Sequence, residues 1–591
     1  MLKVWCVRLQ FRISALLIVV AIAIAATGGY RGLVLGVPIS ARRPAVFALV
    51  AWLVIDGPMW SARRARVAAR LDRYLDFLDR RAAALVALLA IAVGLASAGL
   101  GAHVAAGADP YGYVSQALLW LHGNPVQHQS RLAMNDPWSN AEWSFCPLGY
   151  RPSVTRGIIV PTYAIGLPLQ MAALSSAIGG AGVWTVVPIL SAFLVLLTYR
   201  FAYRVCGRRA PAMLAAVLVA TSPVVLFGAM QPLSDVPASA WWILSILAAT
   251  DVPVWAALGS GLCTSLAVLT RPNLVPLLIV VLLYVWRFTL KGTSLVPRIA
   301  VFLLGALPGI ALTALSNRLF YGSALRSGYG ALADIFHVSN AFSNLQSYPT
   351  WLMQTHTPLI FVAVALVFTA PPTAARLLDD TQRDRLLTHS ILGLLFVVTV
   401  FGCYVFYFPF DHWTYLRFLL PGIPTLLSLS IAALIPIVRA LSAPMRVAIM
   451  SFVVLVIPVY QLNFARSGGA FNLQELFEDR YVVASRGVSD NTPAASGIIC
   501  LLQSGSLRFY ANRTTVRVDV LPPDALERAV HYLNDNGLRT FVALENTEMQ
   551  AFARAFGTAG DSMLARSKMI SVDPLGLVSL YGPLQTGSRQ P

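Results

Sequence analysis

The sequence predicts an all-α, polytopic membrane protein of about thirteen transmembrane helices, followed by a small C-terminal α/β domain. Three observations carry that prediction. The 591 residues are 57% hydrophobic and only 12% charged, about half the charged fraction of a soluble globular chain. The mean hydropathy is +0.68. The apolar residues fall in runs of roughly 15–25, the length that a hydrocarbon core about 30 Å thick requires. A soluble core of this size could not hide so much apolar surface; lipid can.

The net charge is +18 and the sequence pI is about 10.0. In a soluble chain that balance would indicate nucleic acid. Here the arginines cluster between apolar runs, as cytoplasmic loops require, and no nucleic-acid partner is expected. The six cysteines, Cys6, Cys146, Cys206, Cys263, Cys403 and Cys500, show no CxxC pairing. Neither a metal centre nor a disulfide framework is expected, and only Cys146 and Cys500 could bridge on the outer face. At the N-terminus Lys3, Arg8 and Arg12 precede an apolar run from Ile13 to Ala26. It lacks a small-residue cleavage site and reads as an uncleaved first span.

Run length places spans near 12–28, 44–60, 83–103, 183–203, 212–230, 236–250, 254–270, 274–288, 298–315, 357–370, 388–408, 418–437 and 446–461. The richest basic segment runs from Arg63 to Arg81 and sets the cytoplasmic side. Other basic clusters, from Arg200 to Arg446, fall on that side if 162–179 does not cross. That stretch reads as an interfacial helix. Residues 1–82 are then two N-terminal spans with a basic loop, and 83–461 is the core. Its long outer loops are 104–182 and 316–356, and 462–591 is an outer α/β domain. That domain should hold strands at 498–502, 540–544 and 577–581, and helices at 523–536 and 548–556.

The polar residues that stand out gather on this outer side. Charge near lipid is costly and tends to serve function. Asp109, in GADPYGYVSQALLWLHGNP, opens a helix whose apolar side carries Tyr111, Val114, Leu118 and Leu121. A helix cap on a membrane-surface helix explains it as well as catalysis does. Asp235, in MQPLSDVPASAWW, opens a later span in the same way. Arg271 in LTRPNLVP, Arg326 in YGSALRSGYG and Arg417 in DHWTYLRFLLP are unexpected cations on this face. Snorkelling anchors are the plain reading, yet guanidinium fits phosphate through paired hydrogen bonds. Asp136, Glu142, Arg151, Arg156, His337, Asn340, Asp411 and His412 read as loop residues. Trp138, Trp143, Trp351 and Trp413 read as an interfacial belt, with sugar stacking as the alternative. In the tail, Ser504, Ser506, Arg508 and Tyr510 read as a structured docking segment rather than an acceptor site.

The segments ADPYGYVSQALLWLHGNP, YAIGLPLQMA, SPVVLFGAMQPLSDVP, LTRPNLVP and YLRFLLPGIP, in that order, resemble the GT-C membrane glycosyltransferases. In layout they are similar to the protein O-mannosyltransferase-like enzymes and the lipid A aminoarabinose transferase. The resemblance covers roughly residues 83 to 461. It implies a polyprenyl-phosphate-linked sugar donor, a periplasmic acceptor, and transfer at the bacterial inner membrane, with the N-terminus cytoplasmic and the tail periplasmic. It matches Asp109 to the family's first-loop catalytic acid and Asp235 to its second. Two departures stand out: Asp109-Pro110 replaces a pair of adjacent acids, and two spans precede the core.

The expected chemistry is inverting glycosyl transfer. Asp109 serves as base, and Asp235 orients the acceptor or helps hold a divalent cation. Arg271, Arg326 or Arg417 binds the donor phosphate. No other cofactor is implied. The competing readings are a transporter or lipid flippase and a non-catalytic envelope scaffold.

Overall fold

The computed structural model describes residues 64–289, 294–364, 380–441 and 443–584, with Val19 and the strands Tyr30–Val34 and Val37–Ala41. The spans expected at 12–28 and 44–60 lie almost wholly outside the described residues, and that at 357–370 does so in part. Among the described residues five helices are long and apolar enough to cross a membrane: Asp76–Leu100, Gly182–Cys206, Leu295–Tyr321, Asp384–Val405 and Ile449–Ser467. Two pairs reach that length only when joined across a bend. They are Arg209–Ala220 with Pro223–Ala229, bent by 59°, and Trp413–Leu419 with Gly422–Val438, bent by 85°. The expected spans at 236–250, 254–270 and 274–288 form helices of 15, 17 and 11 residues. Length and composition thus support five to seven crossings among the described residues; the rest of the expected thirteen are these shorter helices and the spans that lie wholly or partly outside the described residues.

Both bends have local causes. At the first, Ser222 Oγ accepts from the Val225 N–H, and Pro223 occupies the first turn of the restarted helix. At the second, a 3₁₀ turn over Trp413–Leu419 runs into Pro421, which has no N–H to continue the ladder. Elsewhere the bundle closes tightly. The Val254–Thr270 helix meets Leu295–Tyr321 along Gly261, Gly305 and Gly309, where a β-carbon would overlap the facing backbone. Small residues let membrane helices approach this closely.

The 162–179 stretch forms a helix over Gly166–Ile178. Thirteen residues rise about 20 Å, too little for a core of about 30 Å. The helix packs on Asp109–Leu121 and on Gly182–Cys206. The Asp109–Leu121 helix corrects an expectation. It does not present an apolar stripe to a membrane surface, because Pro110 through Ala117 are all buried in protein. An amphipathic pattern cannot tell lipid from a protein partner, and here the partners are the Gly166–Ile178 helix and the tail. Gly505 of the tail helix Ser504–Ala511 sits against the Tyr111 ring, where a β-carbon would overlap it.

The tail contains a five-stranded sheet, ordered Thr514–Arg517, Ser496–Cys500, Arg539–Glu545, Val578–Tyr581, Met569–Ser571. The first three strands are parallel; the last two join antiparallel. Three of these strands, and the helices Leu526–Asp535 and Met549–Ala565, answer the expected elements. The Thr514–Arg517 and Met569–Ser571 strands were not expected. The helix Ile457–Ser467 runs across the expected boundary at 462.

This sheet does not pack alone. Trp138 and Phe145 of the 104–182 segment join Ile499, Val516, Leu526 and Leu533 in one core. Trp138 stacks on Phe145 at 5.6 Å and meets Tyr532 edge-on. It is therefore a core residue, neither a belt residue nor a sugar platform. Trp413 is likewise buried, against Phe227 and Phe464. Arg508 donates to the Phe145 carbonyl. Tyr510 Oη accepts from Ala105 N–H at 2.8 Å, and Ser504 Oγ from Leu148 N–H at 3.0 Å. These tail residues dock. Cys146 and Cys500 are both free and buried, so they form no bridge.

Removal of the shared indole tests this joint core. Trp138→Ala should cost about 3–5 kcal/mol through the cavity left behind. The readout is the unfolding midpoint in detergent. An unchanged midpoint would mean that the tail folds independently of the 104–182 segment.

Candidate active site

Four of the expected site residues sit where helices begin, end or break, each close to a proline. Asp109 is the first residue of its helix, followed by Pro110. Asp235 is the first of Asp235–Ala249, with Pro237 two positions on. Arg271 is the C-cap of Val254–Thr270, before Pro272. Arg417 lies in the 3₁₀ turn ahead of Pro421. The acids stand at helix N-termini and Arg271 at a C-terminus, so each charge also faces the favourable end of a helix dipole. Neither acid caps its helix through a side-chain hydrogen bond. Their carboxylates turn to the arginines instead.

These side chains meet. Asp109 Oδ2 lies 2.8 Å from Arg417 Nη2, and Asp235 Oδ1 lies 2.6 Å from Arg271 Nη2. Arg417 Nη1 is also 4.0 Å from Asp235 Oδ2. One guanidinium therefore links both acids. Arg271 donates further from Nε to Ser234 Oγ at 3.2 Å and from Nη1 to Tyr404 Oη at 2.8 Å. The Phe418 ring borders both cations, with the Arg271 guanidinium 5.6 Å and the Arg417 guanidinium 5.3 Å from its centroid. Tyr163 donates to Asp109 Oδ1 at 2.6 Å.

Exposure divides the cluster into two halves. The Asp235 side chain is 1% exposed and that of Arg271 11%; Asp109 keeps 26% and Arg417 17%. The first pair is an interior strut, while the second forms the open edge that a ligand can reach. Asp235 makes only ionic contacts, with no directional hydrogen bond to either oxygen. Burial by itself would raise the Asp109 pKa. The Arg417 charge and the hydrogen bonds from Tyr163 and Arg417 outweigh it and hold the carboxyl below its ordinary value.

The structure does not bring Arg326 to this cluster. It lies on an exposed turn and forms no ion pair with Asp109 or Asp235. That turn closes through Arg326 N–H to the Ser323 carbonyl and is pinned where Gly328 abuts Thr162. The minor loop residues behave as read. Arg156 pairs with Asp136 at 2.6 Å, His412 Nδ1 hydrogen-bonds Thr414, and Asn340 donates to the Phe406 carbonyl. Sequence reasoning missed Tyr163, Ser234, Tyr404 and Phe418. The aromatic density of YLRF was the one available signal.

The donor set does not fit a divalent cation. Each carboxylate faces a guanidinium, and no group of three or more His, Cys, Asp or Glu side chains able to hold a metal occurs among the described residues. Two carboxylates already neutralised by arginine offer little to an ion that needs about six oxygen ligands.

A double-variant cycle tests the pairing. Arg417→Gln leaves Asp109 largely buried without its cation and should cost about 3 kcal/mol near pH 7. Adding Asp109→Asn should restore most of that, since no unpaired charge remains. Because the folded Asp109 pKa is depressed, the pairing contributes fully above the ordinary carboxyl value of about 3.9 and is lost as pH falls through the lower folded value. The Arg417→Gln deficit should accordingly shrink on acidification. Unfolding midpoints read across pH decide it; a double variant no better than Arg417→Gln would show that the pair is not coupled.

No protein-family model matches the chain, and no curated protein matches it in sequence. Solved structures do. ArnT from Cupriavidus metallidurans, solved bound to undecaprenyl phosphate, is 11% identical and superposes with a TM-score of 0.50 over 85% of this chain and 98% of that one. The apo form of the same protein gives 0.50 at 12% identity, over 85% and 97%. The archaeal oligosaccharyltransferase AglB from Archaeoglobus fulgidus gives 0.49 at 14% identity, over 86% and 75%. With near-complete coverage of ArnT and identity far below what sequence alone detects, the chain has the fold of the GT-C membrane glycosyltransferases.

Proposed function

We propose that this protein is an inverting glycosyltransferase. It moves a sugar from a polyprenyl-phosphate-linked donor to an acceptor hydroxyl on a lipid, glycan or protein of the cell envelope. The observation that carries the reading is the open Asp109–Arg417 edge, 2.8 Å across, backed by the closed Asp235–Arg271 pair. A base and a phosphate-binding cation stand side by side there. That ArnT, with the same fold, was solved bound to undecaprenyl phosphate supports a lipid-phosphate carrier.

The donor phosphate takes hydrogen bonds from the Arg417 guanidinium, whose fork suits phosphate oxygens. Arg271, tied to Ser234 and Tyr404, adds fixed positive charge behind it. Asp109 Oδ2, released from Arg417, accepts the acceptor's hydroxyl proton. The acceptor oxygen bonds to the anomeric carbon as the bond from that carbon to the phosphate oxygen breaks. The phosphate leaves with the electron pair on the lipid, and the arginines stabilise its growing charge. A phosphate is already a weak base, so no strong general acid is needed. Asp235, 1% exposed, holds Arg271 and Arg417 in place and does not reach the acceptor. Arg326 has no part. The arginine-rich segments set the orientation: N-terminus cytoplasmic, with the cluster and tail at the periplasmic face of the inner membrane.

The test uses the full-length protein in proteoliposomes with undecaprenyl-phosphate-linked radiolabelled sugars and a cell-envelope acceptor fraction. Asp109→Asn should lower kcat by about 100-fold or more, the worth of a positioned base. Arg417→Gln should raise the donor KM as well. A folded Asp109→Asn protein with full transfer activity would falsify the assigned base. Movement of the lipid across the bilayer with no new glycosidic bond would point to a flippase.

A further inference from the structure

The phenol of Tyr163 has one polar contact within the cluster, its 2.6 Å donation to Asp109 Oδ1. Much of the local structure serves to hold that ring. It lies across Gly112 and Gly149, and a β-carbon on Gly112 would overlap it. Gly149 carries φ of +86°, a conformation in which a side chain would be strained. Tyr113 packs on the ring at 4.9 Å, and Tyr329 meets it edge-on at 6.1 Å. The backbone is fixed too. Thr162 N–H donates to the Gly149 carbonyl at 2.8 Å, and Tyr321 Oη donates to the Pro161 carbonyl at 2.6 Å. A hydrophobic contact alone would not need a polar ring, nor a slot cleared by two glycines. The slot admits a six-membered ring and points its hydroxyl at one carboxylate oxygen.

We propose that Tyr163 is a positioning residue that locks Oδ1 of Asp109, so that Oδ2 faces the acceptor once the donor phosphate has engaged Arg417. This rests on the reading of Asp109 as the base. The two oxygens have different partners: Oδ1 takes Tyr163, and Oδ2 takes Arg417. Donor binding draws on the second partner only. Without Tyr163 the carboxylate would be free to rotate at the moment its cation is recruited elsewhere. With it, one hydrogen bond persists through the exchange and keeps the reacting oxygen in place. Arg417 and Arg271 also act on Asp109 from their separate helix ends, Asp235 is linked to it through Arg417, and the phenols of Tyr113, Tyr329, Tyr407 and Tyr415 lie close enough to feel its charge. Arginine stays charged, and burial raises these phenols above their ordinary value, so they stay neutral through the assay range. The acid limb of the rate profile therefore reports the carboxylates.

The experiment is transfer kinetics of full-length Tyr163→Phe in proteoliposomes, with undecaprenyl-phosphate-linked sugar as the probe. The ring and its slot remain; only the hydroxyl goes. We expect kcat to fall on the order of 10- to 100-fold, the scale of one hydrogen bond to a charged group. The donor KM should stay within about twofold. Losing a hydrogen bond to the ionised form raises the Asp109 pKa, so the acid limb should move upward by roughly one pH unit. Gly112→Ala provides a second route, since its methyl displaces the ring without changing the phenol; the same upward movement is expected. Unchanged kcat in Tyr163→Phe, or a loss with an unmoved acid limb, overturns the proposal. The outcomes separate cleanly. If Asp109→Asn is inactive while Tyr163→Phe is normal, only the positioning role fails. If Asp109→Asn is fully active, the base assignment itself fails.

Discussion

Arg417 shared between two acids is the constraint on which the site depends. A buried ion left unpaired costs several kcal/mol, so no one of these four residues can be placed independently. Asp109, Asp235, Arg271 and Arg417 come from four separate helix ends, each interrupted close to a proline. Bringing those ends together satisfies the charges; satisfying the charges fixes the ends. The bends follow the same logic. A straight helix through residues 413–438 would carry Arg417 along a span, whereas the 85° bend keeps it in a short turn beside Asp109.

The tail takes part in the same constraint through packing. Its helix Ser504–Ala511 presses on Tyr111, in the first turn of the helix that Asp109 opens. Tyr510 holds Ala105 just upstream, and Tyr481 Oη closes on Gly107. The residues leading into Asp109 are thus braced from the tail side, while Tyr163 and Arg417 hold its carboxylate from the other. Because Trp138 and Phe145 share the tail's core, loosening the tail loosens the segment that contains Asp109. The tail's structural role and the site's geometry are one problem, not two.

How much of this was legible in the sequence depended on the kind of signal each residue gives. Charge in an apolar chain is conspicuous, so Asp109, Asp235, Arg271 and Arg417 could be picked out before any geometry was known. Arg326 gave the same signal, but it is exposed and pairs with neither acid, although its turn packs beside Tyr163; sequence reports an unusual charge, not its partner. Tyr163 gave no signal, because a tyrosine beside apolar residues is ordinary. Trp138 was misread for a related reason: an indole near a membrane segment suits lipid headgroups and a protein core equally. The strand Thr514–Arg517 was hidden in a polar run, and pairing with Ser496–Cys500 rather than local propensity makes it a strand. The bends were not legible either: Pro223 and Pro421 divide apolar runs that hydropathy alone reads as continuous.

An acid held at 2.8 Å by a guanidinium is well placed and poorly basic. On the proposed mechanism this is an advantage before the donor arrives, because Asp109 has little tendency to take a proton from water or a stray hydroxyl. The donor phosphate competes for the same guanidinium. When it succeeds, Asp109 loses the charge that depressed its pKa and becomes a stronger base in the complex where a base is wanted. Arg271 cannot make that exchange, since its bonds to Asp235, Ser234 and Tyr404 tie it in place. The cluster thereby divides one fixed cation from one exchangeable cation. The donor's own charge then determines when the acceptor hydroxyl can be activated, which favours donor binding before proton transfer.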